Sequence, residues 1–123
     1  EAALARMDEA VARGADGVRA DDDFHCAIAV AGGNPLIGRF VAFVSDAFSA
    51  SRAPTWSQEG IVRGLAGAAQ DEHRAVYSAI VAGDPVAAGR AARRHLVQAA
   101  RRLGVVLAMS QGVHGDDMGE EVN

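Results

Sequence analysis

The fold class follows from residues 72–85, which read EHRAVYSAIVAGDP. Apolar side chains recur three, four and seven residues after His73, which is the spacing of one face of an α-helix. This helix meets Gly-Asp-Pro at residues 83–85, where the glycine suits a helix C-terminus, the aspartate an N-cap and the proline a first helical position. The stretch therefore predicts a hairpin of two antiparallel helices.

The rest of the chain predicts helices in the same way. Gly-Gly-Asn-Pro at residues 32–35 repeats the order of glycine, N-cap and proline. The 123 residues include 27 alanines and a single threonine, which favours helix over strand. We predict helices over 2–13, 19–31, 35–50, 58–82 (broken near residues 64 and 67) and 85–109, with a loop over 51–57. The predicted fold class is all-α, an antiparallel helical bundle.

Composition excludes several classes of protein. The single cysteine, Cys26, cannot form an internal disulfide, which excludes a disulfide-stapled secreted scaffold. The 12 basic residues, all arginine, are outnumbered by 16 carboxylates, so a basic nucleic-acid surface is not the dominant feature. No apolar run approaches the roughly 20 residues of a membrane span. No targeting signal opens the chain, and we expect a cytoplasmic protein without membrane contact.

The length suits one domain. Because the chain begins with Glu1 rather than methionine, we expect it to be part of a longer polypeptide. The domain is predicted to span residues 1–110. Residues 111–123 are polar, acidic and contain glycine, so they are predicted to form a flexible tail.

Three of the four histidines lie on apolar helical faces. His25, His73 and His95 each have apolar residues three or four positions away, whereas His114 lies in the polar tail. An imidazole without a partner costs a few kcal/mol in a protein core. Three such histidines in one small core therefore indicate a site.

The spacing predicts that these histidines meet. Asp21 and His25 are four residues apart, so they lie one turn apart on one helix face. His73 lies ten residues before the turn at 83–84 and His95 eleven after it, which places them at nearly equal heights, roughly 15 and 16 Å from the turn. Three imidazole nitrogens and one carboxylate oxygen suit Zn²⁺, Ni²⁺, Mn²⁺, Fe²⁺ or Cu²⁺.

Two other interpretations stay open at this point. The histidines could be packed side chains of a metal-free interaction bundle. The chain could also be a metal-dependent enzyme on a helical bundle, although Glu72 directly precedes His73, which is not the Glu-x-x-His spacing of di-iron bundles.

Several ordered motifs resemble those of the FCD domain, the effector-binding and oligomerisation domain of the FadR subfamily of GntR-type transcription regulators. They are DDDFH at 21–25, AVAGGNPLI at 29–37, EHRAV at 72–76, AIVAGD at 79–84, Ala88, and HL at 95–96. The resemblance covers about residues 4–103. It implies a helical bundle with an internal cavity for a ligand and a metal, and no catalytic activity.

The resemblance also implies specific ligands and partners. In this family one aspartate and three histidines hold a divalent metal, and by motif these fall on Asp21, His25, His73 and His95. The expected ion is Zn, Ni, Mn or Fe. A small carboxylic-acid effector is expected at open metal positions, and homodimerisation is expected. DNA contact belongs to an N-terminal winged-helix domain that this chain lacks, and the usual opening helix is expected to be missing before Glu1.

Some charged residues are candidates for a supporting role. Arg39, Arg52 and Arg74 could pair with a second effector carboxylate, but each is predicted to be a solvated surface residue. Asp22 and Glu72 are neighbours of the proposed ligands and could hydrogen-bond to them. Their positions along the helices favour surface exposure.

The aromatic residues are predicted to have structural roles. Phe40, Phe43 and Phe48 lie at helical spacing and are predicted to pack in the core. Trp56 either lines the mouth of a pocket or anchors its loop, and the sequence does not decide between these two roles.

Overall fold

The computed structural model describes residues 1–102, apart from the side chain of Asp46. Within that range the chain forms six α-helices and no strand, which confirms the all-α prediction. The helices are α1 (Ala2–Arg13), α2 (Val18–Ala31), α3 (Pro35–Trp56), α4 (Gln58–Val62), α5 (Leu65–Val81) and α6 (Pro85–Arg102). The tail predicted over 111–123 and the end of the last predicted helix lie outside the described residues.

The predicted helix boundaries at the two proline-containing turns are confirmed. Asn34 accepts a hydrogen bond at its side-chain oxygen from the backbone N–H of Leu36, at 3.0 Å. Asp84 accepts one in the same way from Ala87, at 2.8 Å. Gly83 before it has a φ of 67°, a left-handed conformation that glycine adopts without steric cost. Local capping chemistry therefore fixes where α3 and α6 begin.

The core lies where α1 packs on α2 and α5. Its fully or nearly fully buried apolar residues are Ala3, Leu4, Met7, Ala10, Ala20, Phe24, Trp56, Ala66 and Val76. The turn at Gly83 folds α6 back along α5, and α3 packs along α2. Many of the core side chains are alanines, so the helices approach one another closely.

Helix α3 is longer than predicted. The prediction that it ends at Ala50 and that 51–57 is a loop is wrong, because α3 continues through Pro54 to Trp56. Proline removes one backbone donor and disfavours a helix interior, but contacts further along compensate for that cost. Trp56 is buried in the core, and the Ser57 hydroxyl caps α4 by accepting a hydrogen bond from the Gly60 N–H at 3.0 Å.

The helix predicted over 58–82 is divided at one of its two candidate glycines. The break lies at Gly64, which has a φ of 75° and separates α4 from α5. Gly67 lies inside α5, so the second candidate break is wrong. A left-handed glycine ends a helix, whereas a glycine with ordinary helical dihedrals only weakens it.

The three phenylalanines of α3 are not in the core. Phe40, Phe43 and Phe48 are 64%, 83% and 53% exposed, so the prediction that they pack inside is wrong. Helix α3 is apolar on more than one face, and α2 covers only one of those faces. Helical spacing shows which residues share a face, but not what covers that face.

No helix in the described range is both long enough and apolar enough to cross a membrane.

Candidate metal centre

The structure brings all four predicted ligands to one place. Helix α2 contributes Asp21 and His25, α5 contributes His73, and α6 contributes His95. One ligand atom from each of the three histidines lies within 4.8 Å of the others. The His73 and His95 ring centroids are 4.4 Å apart, as the predicted equal heights on the α5–α6 hairpin require.

His73 is the most deeply buried member of the cluster. Its side chain is 0% exposed, and neither ring nitrogen has a hydrogen-bond partner among the described residues. A buried polar atom without a partner costs about 1–3 kcal/mol. A metal ion would bind the lone pair of one His73 ring nitrogen, so the residues present fit a divalent ion.

Asp21 is held by two residues of α3. Its Oδ2 accepts a hydrogen bond from the Trp56 indole N–H at 3.0 Å, and its Oδ1 lies 2.8 Å from the Arg52 Nε. The His25 Nε2 lies 3.2 Å from the same Oδ1, and the His73 Nε2 lies 3.7 Å from Oδ2. Both carboxylate oxygens are therefore oriented by neighbours, one of which carries a positive charge.

His95 is oriented from the opposite side by Glu72. The His95 Nδ1 lies 2.9 Å from a Glu72 oxygen, and the Arg102 guanidinium donates to both Glu72 oxygens at 2.8 Å. An Nδ1–H donated to the carboxylate leaves the Nε2 lone pair of His95 free for a metal. Glu72 is largely buried, so the prediction of surface exposure is wrong for it.

Asp22 and Arg52 are also less exposed than predicted. Asp22 accepts hydrogen bonds from Ser49 and Arg52, and the side chains of both Asp22 and Arg52 are only 17% exposed. The prediction that Arg52 is a solvated surface residue is wrong, because α3 continues past it and turns it toward α2. Arg39 and Arg74 are exposed, as predicted.

Trp56 is part of a helix rather than a loop, and it is not among the residues that line the cavity that adjoins the cluster. It is buried in the last turn of α3 and donates to Asp21. A Cβ atom at Gly17 would clash with its ring, so glycine is needed where α2 begins. The backbone of α2 thus packs directly against the residue that orients Asp21.

A cavity of about 490 Å³ adjoins the cluster. Its polar end is formed by Asp21, His25, His95, Arg52 and Arg102. Most of its remaining wall is apolar and comes from α2, α3 and α6. The site therefore combines charged and metal-ligating groups at one end with a hydrophobic compartment.

The family model of the FCD domain matches residues 1–98. The chain belongs to the FCD family. FCD domains are the C-terminal effector-binding domains of GntR-family regulators, so the predicted family is confirmed. Searches of curated proteins and of solved structures gave no match.

Burial sets the protonation state of the histidines in this FCD domain. It lowers the pKa of His73 to about 3, although the nearby Asp21 charge opposes the shift. Burial also lowers the pKa of His95, and the hydrogen bond that His95 donates to Glu72 opposes this shift. Both imidazoles are therefore neutral at pH 7, which is the form that binds metal.

Asp21 stays ionised despite its burial. Burial by itself raises the pKa of this carboxyl. The hydrogen bond with His25, the electrostatic interaction with the His73 ring and the hydrogen bond from Trp56 outweigh that effect and hold the pKa well below its ordinary value. The FCD cluster thus offers neutral imidazoles and one carboxylate at neutral pH.

Sequence reasoning named Glu72 as a possible hydrogen-bond partner of the predicted ligands, but it did not place Arg52 or Trp56 beside Asp21. Arg52 and Trp56 are four residues apart, a spacing that places them on one helix face. The loop predicted around Pro54 concealed this relation. The pairing of Glu72 with Arg102 joins residues 30 positions apart and carries no local signal.

Proposed function

We propose that this FCD domain senses a small organic acid at a divalent-metal centre held by Asp21, His25, His73 and His95. The observation that carries the proposal is His73, which is fully buried with neither ring nitrogen hydrogen-bonded to a described residue. In a metal-free bundle the two buried ring nitrogens lose their hydrogen bonds to water and gain none from the described residues, which destabilises the fold. A ligand role would satisfy the ring nitrogen that carries the lone pair.

The donor set suits Zn, Ni, Mn or Fe and does not choose among them. When bound, the ion would supply a positive charge that attracts the carboxylate oxygens of an effector. Glu72 keeps the His95 ring in one orientation, and Arg52 and Trp56 do the same for the Asp21 carboxylate. Asp21, Arg52 and Arg102 at the polar end of the cavity are largely buried, which strengthens the electrostatic attraction there.

We further propose that effector binding changes the DNA affinity of a winged-helix domain elsewhere in the polypeptide, within a homodimeric regulator. The ligands come from three helices, α2, α5 and α6, and Asp21 is also tied to α3. Binding at the cluster can therefore bias the relative positions of four helices. Such a bias needs different effector affinities for two conformations.

The metal half of the proposal is tested by the metal content of protein purified without chelator. We expect about one ion per chain in the wild type and much less bound metal in His73→Ala, because this change removes one of the four proposed ligands. Mass spectrometry of the elements measures this directly.

His114→Ala is the matched control, since it removes a histidine that the sequence assigns to the tail. It should retain the wild-type metal content. Equal metal in the wild type and His73→Ala, or none in the wild type even after reloading, would contradict the proposal and favour the metal-free bundle.

A further inference from the structure

We infer that the effector is a monocarboxylate with an apolar tail, whose carboxylate lies at the metal centre and whose tail lies along α3. The inference rests on the proposed function, since it names the class of acid that the same site would take. Three features of the cavity support it: its shape, its charge balance and its polar partners.

Apart from its charged and histidine side chains and the hydroxyl groups of Ser45, Ser51 and Thr55, the described wall of the cavity is apolar. The apolar part of its wall is formed by Ile28 of α2, Ile37, Phe40, Val44 and Phe48 of α3, and Leu96 of α6. Ile37, Phe40, Phe48 and Leu96 are all more than half exposed. A tail placed against them would remove apolar surface from water on both molecules, which is the main source of affinity for such a ligand.

The charge balance at the polar end fits a single carboxylate. Asp21, Arg52 and Arg102 line the cavity, and Asp22 and Glu72 pair with the two arginines from outside its wall. Together these five residues provide three negative charges and two positive ones. These five side chains carry one net negative charge, and a divalent ion changes it to one net positive charge. One carboxylate then gives neutrality, whereas a dicarboxylate leaves an uncompensated charge in a largely buried site.

The two arginines of the cavity already have partners. Arg52 pairs with Asp21 and Asp22, and Arg102 forms two hydrogen bonds to Glu72. Each guanidinium charge is thus already matched by a carboxylate of the protein, so neither arginine offers an uncompensated charge to a second effector carboxylate. Away from the charged residues, the described wall offers only the hydroxyl groups of Ser45, Ser51 and Thr55. These are too few to pair with all the hydroxyl groups of a sugar acid, and an unpaired buried hydroxyl is costly.

The inference is tested by calorimetric titration of the zinc-loaded chain with acids that differ in one property at a time. In the series butanoate, hexanoate and octanoate, each methylene group buried should tighten Kd by roughly threefold to fourfold. Octanedioate, with the same chain length but two carboxylates, and gluconate should both bind more weakly than octanoate. Octan-1-ol, which has no carboxylate, should also bind more weakly.

Two phenylalanines of α3 provide a matched pair of variants. Phe40 lines the cavity, whereas Phe43 does not line it and is the more exposed of the two. Phe40→Ala should weaken octanoate about tenfold or more and leave butanoate almost unchanged, because the lost contact is to the tail. Phe43→Ala should leave both affinities near the wild-type values.

The possible failures are distinguishable. Tighter binding of octanedioate or gluconate than of octanoate, or no dependence on tail length, overturns this inference and leaves acid sensing intact. Failure of every acid to bind zinc-loaded protein overturns both. If Phe40→Ala leaves octanoate binding unchanged but converts a dimer to a monomer in sedimentation, the wall is an interface between copies and the inference is wrong.

Discussion

His73 lies between the rings of Phe24 and His95, with centroid distances of 4.9 and 4.4 Å, and has no contact with solvent. Its pKa is lowered to about 3 in the fold, against an ordinary value of 6.5. Between these values the unfolded chain binds a proton that the folded chain does not. The contribution of neutral His73 to the stability of the fold is therefore complete above about pH 6.5 and is lost as pH falls toward 3.

We therefore predict that the metal-free domain loses stability on mild acidification. The free energy of unfolding should fall by at least about 1.4 kcal/mol per pH unit below about pH 6, because His73 alone takes up one proton when the chain unfolds. The lowered pKa of His95 acts in the same direction. Urea unfolding in the presence of a chelator, at several pH values, measures the slope.

His73→Gln provides the comparison for this slope. It removes the titrating group, so the dependence of the unfolding free energy on pH should decrease by about 1.4 kcal/mol per pH unit relative to the wild type. A wild-type stability that does not change between about pH 7 and pH 5 would show that His73 is not kept neutral by burial.

At the level of helices, α3 stabilises the site through Arg52. The guanidinium contacts Asp21 and Asp22, both on α2, from a position where it is 17% exposed. We predict that Arg52→Gln costs about 2–3 kcal/mol of unfolding free energy, because two carboxylates lose their partner in a largely buried place. Urea unfolding at neutral pH measures the loss.

The control is Arg63→Gln, which breaks the Arg63–Glu59 pair on the surface of α4. Exposed pairs contribute little, so this change should cost no more than about 0.5 kcal/mol. Similar losses for Arg52→Gln and Arg63→Gln would show that the Arg52 contacts do not join α3 to α2.

The helices and the histidine cluster followed from local rules, whereas the surroundings of the cluster did not. The short turn before α6 fixes the register of the α5–α6 hairpin, so the equal heights of His73 and His95 could be predicted. Pro54 misled the prediction because proline is compatible with a helix when tertiary contacts compensate for the missing donor. The length of α3 and the burial of Arg52 depend on those contacts.

The faces of α3 show a second limit of prediction from sequence. Phe40 and Phe43 are the same residue type on one helix and both are exposed, yet only Phe40 lines the cavity. Which face of α3 is covered depends on where α2 and α6 lie. That placement is set by pairings distant in sequence, such as Glu72 with Arg102.

For the whole molecule, the proposed function requires that ligand binding at the cluster be coupled to the arrangement of α2, α5 and α6, which carry its residues. In the full-length regulator loaded with metal, we predict that an acid bound by this domain changes operator affinity by about 5- to 150-fold. By linkage, operator DNA should change the affinity for the acid by the same factor. Calorimetry of each ligand in the presence and absence of the other measures both factors.

His73→Ala should abolish both effects in the full-length protein while leaving operator binding in the absence of acid intact. Operator affinity that is the same with and without bound acid would contradict sensing by this domain, even where the acid and the metal bind.

The position of Trp56 has a practical consequence. It is the single tryptophan of the chain, and its indole N–H is hydrogen-bonded to the Asp21 carboxylate. Indole emission responds to nearby charge and to the strength of such a hydrogen bond. Any cation that approaches Asp21, or any movement of Arg52 away from it, changes the field across that ring. In this chain, ultraviolet fluorescence is thus an unlabelled optical readout of one carboxylate.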